Sequence, residues 1–116
     1  ARELGYHAAR EGRSVISEIA SLQLELYQLC RRHHVRRLDV FGSAASGSYR
    51  PGISDLDFLV EFLPLPSGAY ADAYFDLLES LERLFGRPVD LVVESAIKNP
   101  YFRQSIESSR AVLYAA

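Results

Sequence analysis

Ser54-Asp55-Leu56-Asp57-Phe58-Leu59-Val60-Glu61-Phe62 decides how the 116-residue chain is read. Leu56, Phe58, Val60 and Phe62 alternate with Asp55, Asp57, Leu59 and Glu61, the period of two that marks a strand with one face in a core. Residues two apart on a strand point to the same face, so both carboxylates leave one side while Leu56 and Phe58 leave the other. Two like charges ~7 Å apart repel by roughly 2–3 kcal/mol at an effective dielectric near ~20. A fold keeps such a pair where the face is solvated or where a cation sits. Carboxylate oxygens together with substrate phosphates are the ligand set that Mg²⁺ prefers. Alone, the pair reads equally well as a polar, solvent-facing strand edge.

Upstream, Val35 to Phe41 reads as a short strand ending at Gly42-Ser43. Glycine there lets the backbone approach a ligand, and free N–H groups with the Ser43 hydroxyl could hold a phosphate. The lysine of a Walker loop is missing, and a plain turn explains the pair as well. Residues 43–48 are small and suit a turn or short helix, and Pro51-Gly52 marks a loop. Residues 14–34 read as one amphipathic helix, with Ser14 as N-cap and the basic run Arg31 to His34 at its C-terminus.

Downstream, Leu63 to Gly68 is a loop with two prolines, and Ala69 to Leu84 is a second amphipathic helix closed by Gly86. Pro88 to Val93 is a third strand, and it carries Asp90 among apolar residues. Burying an unpaired carboxylate is costly, so Asp90 either faces water or has a partner. If its strand lies beside the Asp55–Asp57 strand, three carboxylates converge, the equipment for metal-assisted displacement at phosphorus. A helical segment from about Ser95 to Glu107, interrupted by Pro100, and a short last strand from Ala111 to Tyr114 complete the chain. The order predicts an α/β (α+β) fold, a small mixed sheet flanked by helices. Residues 1–34 form a helical segment leading into the sheet-bearing unit, 35–116, within one globular domain overall.

Hydrophobic residues make up 48% of the chain, charged residues 24%, and net charge is -2, which fits one ordinary globular domain. Nothing in that balance asks for nucleic acid or an anionic membrane, and no long basic stripe is present. No apolar run reaches the ~18 residues that span a bilayer. Cys30 is the one cysteine, so no internal disulfide or Cys/His metal spacing exists, and a cytoplasmic location is expected. Cys30 falls on the apolar helix stripe and reads as a core thiol. His33 and His34 are neighbours about 100° apart on a helix and make a poor metal pair. Tyr70 and Tyr74 could stack on a base, although Tyr74 reads more naturally as core or rim.

Taken together, these features are more specific than any one of them. Leu38-Asp39-Val40-Phe41-Gly42-Ser43, eleven residues, then Asp55-Leu56-Asp57-Phe58-Leu59-Val60 resembles the signature of polymerase-β-type nucleotidyltransferases. Gly86-Arg87-Pro88-Val89-Asp90-Leu91-Val92 resembles that family's third-carboxylate strand. The resemblance runs from about Val35 to the C-terminus, and the short length is similar to the minimal nucleotidyltransferases, many of them antitoxins paired with a HEPN-domain toxin. It implies a polymerase-β-like nucleotidyltransferase fold and transfer of a nucleoside monophosphate, AMP from ATP or another nucleoside triphosphate, to a hydroxyl acceptor. That acceptor would be a tyrosine of a HEPN toxin, with Mg²⁺ as cofactor.

By the same resemblance, Gly42 and Ser43 hold the triphosphate, Asp55 and Asp57 bind the metal, and Asp90 completes the metal site and helps deprotonate the acceptor. Two departures stand out. Ser46-Gly47 replaces the Arg-Gly that many relatives carry after Gly-Ser, which makes Arg50 the candidate phosphate contact, and the gap to Asp55 is one residue longer than the common antitoxin spacing. Neutralising a partner by contact alone, transfer to a small molecule and transfer to RNA are the competing readings. A homo-oligomer stays open.

Overall fold

Four strands form one mixed sheet in the computed structural model, which describes residues 17–46 and 55–116. They are β1 (Val35–Phe41), β2 (Leu56–Phe62), β3 (Val89–Val93) and β4 (Ala111–Ala115), in the spatial order β3-β2-β1-β4. β1 runs antiparallel to β2 and β4, while β2 and β3 are parallel. A parallel pair needs a long crossover. The helix Tyr70–Phe85 supplies it.

The helices are α1 (Gln23–Arg32), α2 (Ser43–Ser46), α3 (Tyr70–Phe85) and α4 (Pro100–Glu107), with a 3₁₀ turn at Glu94–Ala96. The expected single helix over 14–34 is corrected in two ways. Residues 17–21 are helical, the ladder loosens at Leu22, and α1 follows. The Leu22 N–H is shared between the Glu18 and Ile19 carbonyls, a three-centre bond that tightens the turn. The helix also stops at Arg32, because His34 takes a left-handed conformation (φ 62) and its carbonyl accepts the Leu63 N–H. Ser14 lies outside the described residues.

Pro100 does not interrupt a helix; it begins one. The Asn99 side chain accepts from the Tyr101 and Phe102 N–H groups, and a first-turn proline loses no hydrogen bond. Gly86 closes α3 as expected, in a left-handed conformation (φ 65) with its N–H on the Glu82 carbonyl.

The alternation in β2 sorts the two faces of the sheet. Leu38, Val40, Leu56, Phe58, Val60 and Leu91 face α1 and α3 and pack on Leu26, Leu29, Cys30, Leu77, Leu81 and Phe85 in one core cluster. α1 thus shares its core with the sheet. Cys30 is fully buried, and burial pushes its thiol up to about 12, which makes it inert. The opposite face carries a smaller cluster, Phe41, Leu59 and Ile106 with Val92 and Ile97, under α4. The outer edge of β3 is occupied by α3: the Tyr74 hydroxyl donates to the Leu91 carbonyl at 2.6 Å, and Glu82 accepts the Val89 N–H. No helix among the described residues is long and apolar enough to cross a membrane.

Candidate active site

The β2–β3 register brings Asp57 directly opposite Asp90. Paired residues on neighbouring strands lie about 5 Å apart and point to the same face. Asp55 stands one residue before β2, exposed, on the face of Asp57 by the period of two. The three acids that the sequence singles out therefore gather at one end of the sheet, on the side away from the main core.

Gly42 completes this corner. On the other side of β2, Asp57 pairs with Phe41, the last residue of β1. Gly42 follows with φ +72, and a Cβ added there would lie 2.5 Å from Asp57 Oδ2. A Cβ there would push the Asp57 carboxylate aside, and the left-handed backbone strains any other residue, so glycine suits this turn against the carboxylate. The Gly42 carbonyl accepts the Ser46 N–H at 3.0 Å, which closes α2, and Ser43 is the first residue of that turn. Arg50, the expected phosphate contact, lies outside the described residues.

The electrostatics of the corner are unbalanced. Burial, then the charges of Asp90 and Asp55, push the Asp57 carboxyl up to about 6. Every one of these influences disfavours the charged form, and a bound cation would reverse them. Among the described residues no three His, Cys, Asp or Glu side chains form a cage for an ion by themselves. Asp57 and Asp90 offer instead a two-carboxylate platform, which is how Mg²⁺ binds when substrate phosphates supply its remaining ligands. The donor chemistry thus fits a divalent cation that arrives with a triphosphate.

Several neighbours of the corner escape the sequence reading. Asp39, in β1, is fully buried and ion-paired to Arg37 at 2.9 Å and to Arg110. Arg110 also binds Glu94 at 3.2 Å and Glu107 at 2.7 Å. Ser109, beside Arg110, accepts the Gly42 N–H on its hydroxyl at 3.0 Å. The anomaly that flags Asp90, an acid in an apolar strand, flags Asp39 at least as strongly. Ser109 has no comparable signal. His33 Nε2 lies 3.1 Å from Ser80 Oγ, between α1 and α3, and the Tyr70 hydroxyl accepts the Leu65 N–H.

The family model of a nucleotidyltransferase domain matches residues 26–113. The chain belongs to that family. The match takes in α1 from Leu26 on, the Gly42-Ser43 turn and all three acids, and it establishes this nucleotidyltransferase as an enzyme of the class that its motifs resemble. Its relatives include "Putative protein adenylyltransferase MJ0128" of Methanocaldococcus jannaschii, 38% identical over 79% of this chain and 91% of that protein. A solved "putative minimal nucleotidyltransferase" superposes with a TM-score of 0.65 at 34% identity, over 79% of this chain and 89% of the other. A tri-AMPylated HEPN toxin in complex with its MNT antitoxin, from Shewanella oneidensis, includes a chain that aligns with a TM-score of 0.57 at 17% identity, over 84% of this chain and 73% of that one. At that identity the likeness bears on the fold, which is the mixed sheet with flanking helices expected above.

Proposed function

We propose that this nucleotidyltransferase moves AMP from Mg²⁺-ATP to a tyrosine hydroxyl of a HEPN-domain toxin and thereby acts as its antitoxin. The observation that carries the reading is the corner where Asp57 lies opposite Asp90 and under Gly42. It combines a carboxylate pair with no cation beside it among the described residues and a left-handed backbone turn that favours glycine. The adenylyltransferase name of the M. jannaschii relative supports AMP as the group moved, and the S. oneidensis complex supports a HEPN toxin as the acceptor. A cytosolic setting follows from that partnership.

In this reading Gly42 and Ser43 hold the triphosphate, with Arg50 as a further phosphate contact. Asp55 and Asp57 hold the cation, and Asp90 completes its site. The cation supplies charge stabilisation at the phosphates. The acceptor oxygen attacks the α-phosphorus in line, its bond to phosphorus forms as the bond to pyrophosphate breaks, and Asp90 takes the hydroxyl proton. The protein contributes placement: fixed acids and a fixed turn remove the entropy of assembling the reactants. A domain of this size has little surface for a separate acceptor site, which suits an acceptor presented by a partner protein.

The test is intact-mass spectrometry of the cognate HEPN partner after incubation with this protein and Mg²⁺-ATP. A gain of one or more AMP units, missing with the Asp55→Ala variant, supports the reading. A stable complex without mass gain would instead make this protein a contact-only antitoxin.

A further inference from the structure

The junction between α4 and β4 touches β1 twice. Arg110 reaches Asp39, and Ser109 reaches Gly42. The β1–β4 ladder pairs Asp39 with Val112 and Val40 with Ala111. Continued two residues outward, this register brings Gly42 opposite Ser109. There the ladder cannot continue, because the N–H groups of Ser109 and Arg110 are turned back onto the Ile106 carbonyl at the end of α4. The Ser109 side chain stands in for the missing ladder partner. Its hydroxyl accepts the Gly42 N–H at 3.0 Å and donates its own hydrogen toward the Ser105 carbonyl at 3.5 Å.

Gly42 is the residue at which an added Cβ would lie 2.5 Å from Asp57 Oδ2 and push that carboxylate aside. Its carbonyl is taken by Ser46 and its N–H by Ser109. Both of its backbone polar groups are therefore committed, and only the second commitment reaches outside the turn. We infer that Ser109 is a positioning residue that fixes the Gly42-Ser43 turn at its working distance from Asp57, and so sets how well the enzyme holds its nucleoside triphosphate. The inference rests on the reading of that corner as the triphosphate site. Ser109 itself touches neither substrate nor metal; it acts through the Gly42 backbone. Ala44, buried in the main core, and the Ser46 N–H on the Gly42 carbonyl also hold this turn, so an unmade Ser109 hydrogen bond loosens its Gly42 end, and displacements of about 1 Å cost up to ~100-fold in transfer reactions.

The experiment compares wild type, Ser109→Ala and Ser109→Thr. In Ser109→Ala, KM for Mg²⁺-ATP should rise about tenfold or more while KM for the acceptor stays put; Ser109→Thr, which keeps the hydroxyl, should lie near wild type. Amide hydrogen exchange supplies a readout that needs no turnover: Gly42 should lose protection in Ser109→Ala, while the Leu38 and Val40 amides keep theirs. A lower melting temperature with an unchanged KM for Mg²⁺-ATP would make Ser109 merely structural and overturn the inference, as would unchanged protection at Gly42. If wild type neither transfers AMP nor binds α,β-methylene-ATP, the reading of the corner fails first and the role of Ser109 falls with it, whatever the exchange data show.

Discussion

Asp39 and Asp57 sit on the same face of the sheet, diagonal across the β1–β2 pair with Phe41 and Leu59 between them. The fold treats them in opposite ways. Asp39 is fully buried and closed off by Arg37 and Arg110, and Arg110 is in turn held by Glu94 and Glu107. Burial works against the Arg110 charge, but its hydrogen bonds to Glu94, Asp39 and Glu107 outweigh that and hold its pKa above the ordinary value. Asp57 is only partly buried, and what acts on it is burial, Asp90 and Asp55, all disfavouring its charge. One acid has its countercharge built in. Among the described residues the other has none, and the proposed role of Asp57 as a cation ligand rests on that contrast.

The comparison breaks at four points. Asp57→Asn should reduce AMP transfer by about 10³-fold or more, the scale set by loss of a main charge-stabilising group, while the domain stays folded. Circular dichroism of the same sample checks the fold; retained transfer would remove Asp57 from the site. Asp39→Ala should do the reverse. It removes the buried acceptor of Arg37 and Arg110 while Glu94 and Glu107 still hold Arg110, which costs about 1.5–3 kcal/mol, read as a drop in denaturant midpoint. An unchanged midpoint would show that the ion network is ornamental.

Gly42→Ala strains both halves of the account at once. The left-handed backbone costs about 1–2 kcal/mol for a residue with a Cβ, and that Cβ would displace the Asp57 carboxylate. Transfer should therefore fall more than stability does, as paired kinetics and melting curves would reveal. The smallest effect is in pH. Because the folded-state pKa of Asp57 lies at about 6, above its ordinary 3.8, the folded protein binds the proton more tightly than the unfolded chain. The contribution of Asp57 to the stability of the metal-free protein is thus greatest below about pH 4 and is lost as pH rises through 6, and Asp57→Asn should remove that dependence. Melting temperatures between pH 4 and 8, read as the difference between the two proteins, test the sign.

Much of the fold was legible because period-two and period-four patterns report which side of an element is buried. β1 is read to the residue, β2 begins at Leu56 where the reading began it at Ser54, and α3 is one residue out at each end. What was missed depends on tertiary context. The stop at His34 comes from a left-handed residue that sequence marks only weakly when it is not glycine. Pro100 breaks helices in the middle but suits their first turn, and Asn99 just before it was the cue for the second role. The corner could be anticipated because Asp55 and Asp57 are two residues apart at the start of one strand and Asp90 is an acid within an apolar one. Ser109 could not, since its partner is 67 residues away and a serine at a helix end is ordinary.

The most direct test of the account is the binding of Mg²⁺ and α,β-methylene-ATP, an analogue that cannot release its α-phosphate, measured by titration calorimetry at pH 7.5 on wild type and Asp57→Asn. The account predicts Mg²⁺-dependent binding to wild type and at least tenfold weaker binding to the variant. Equal affinity in the two proteins, or binding indifferent to Mg²⁺, would contradict the proposal that the Asp57–Asp90 corner is where the cation and triphosphate are held.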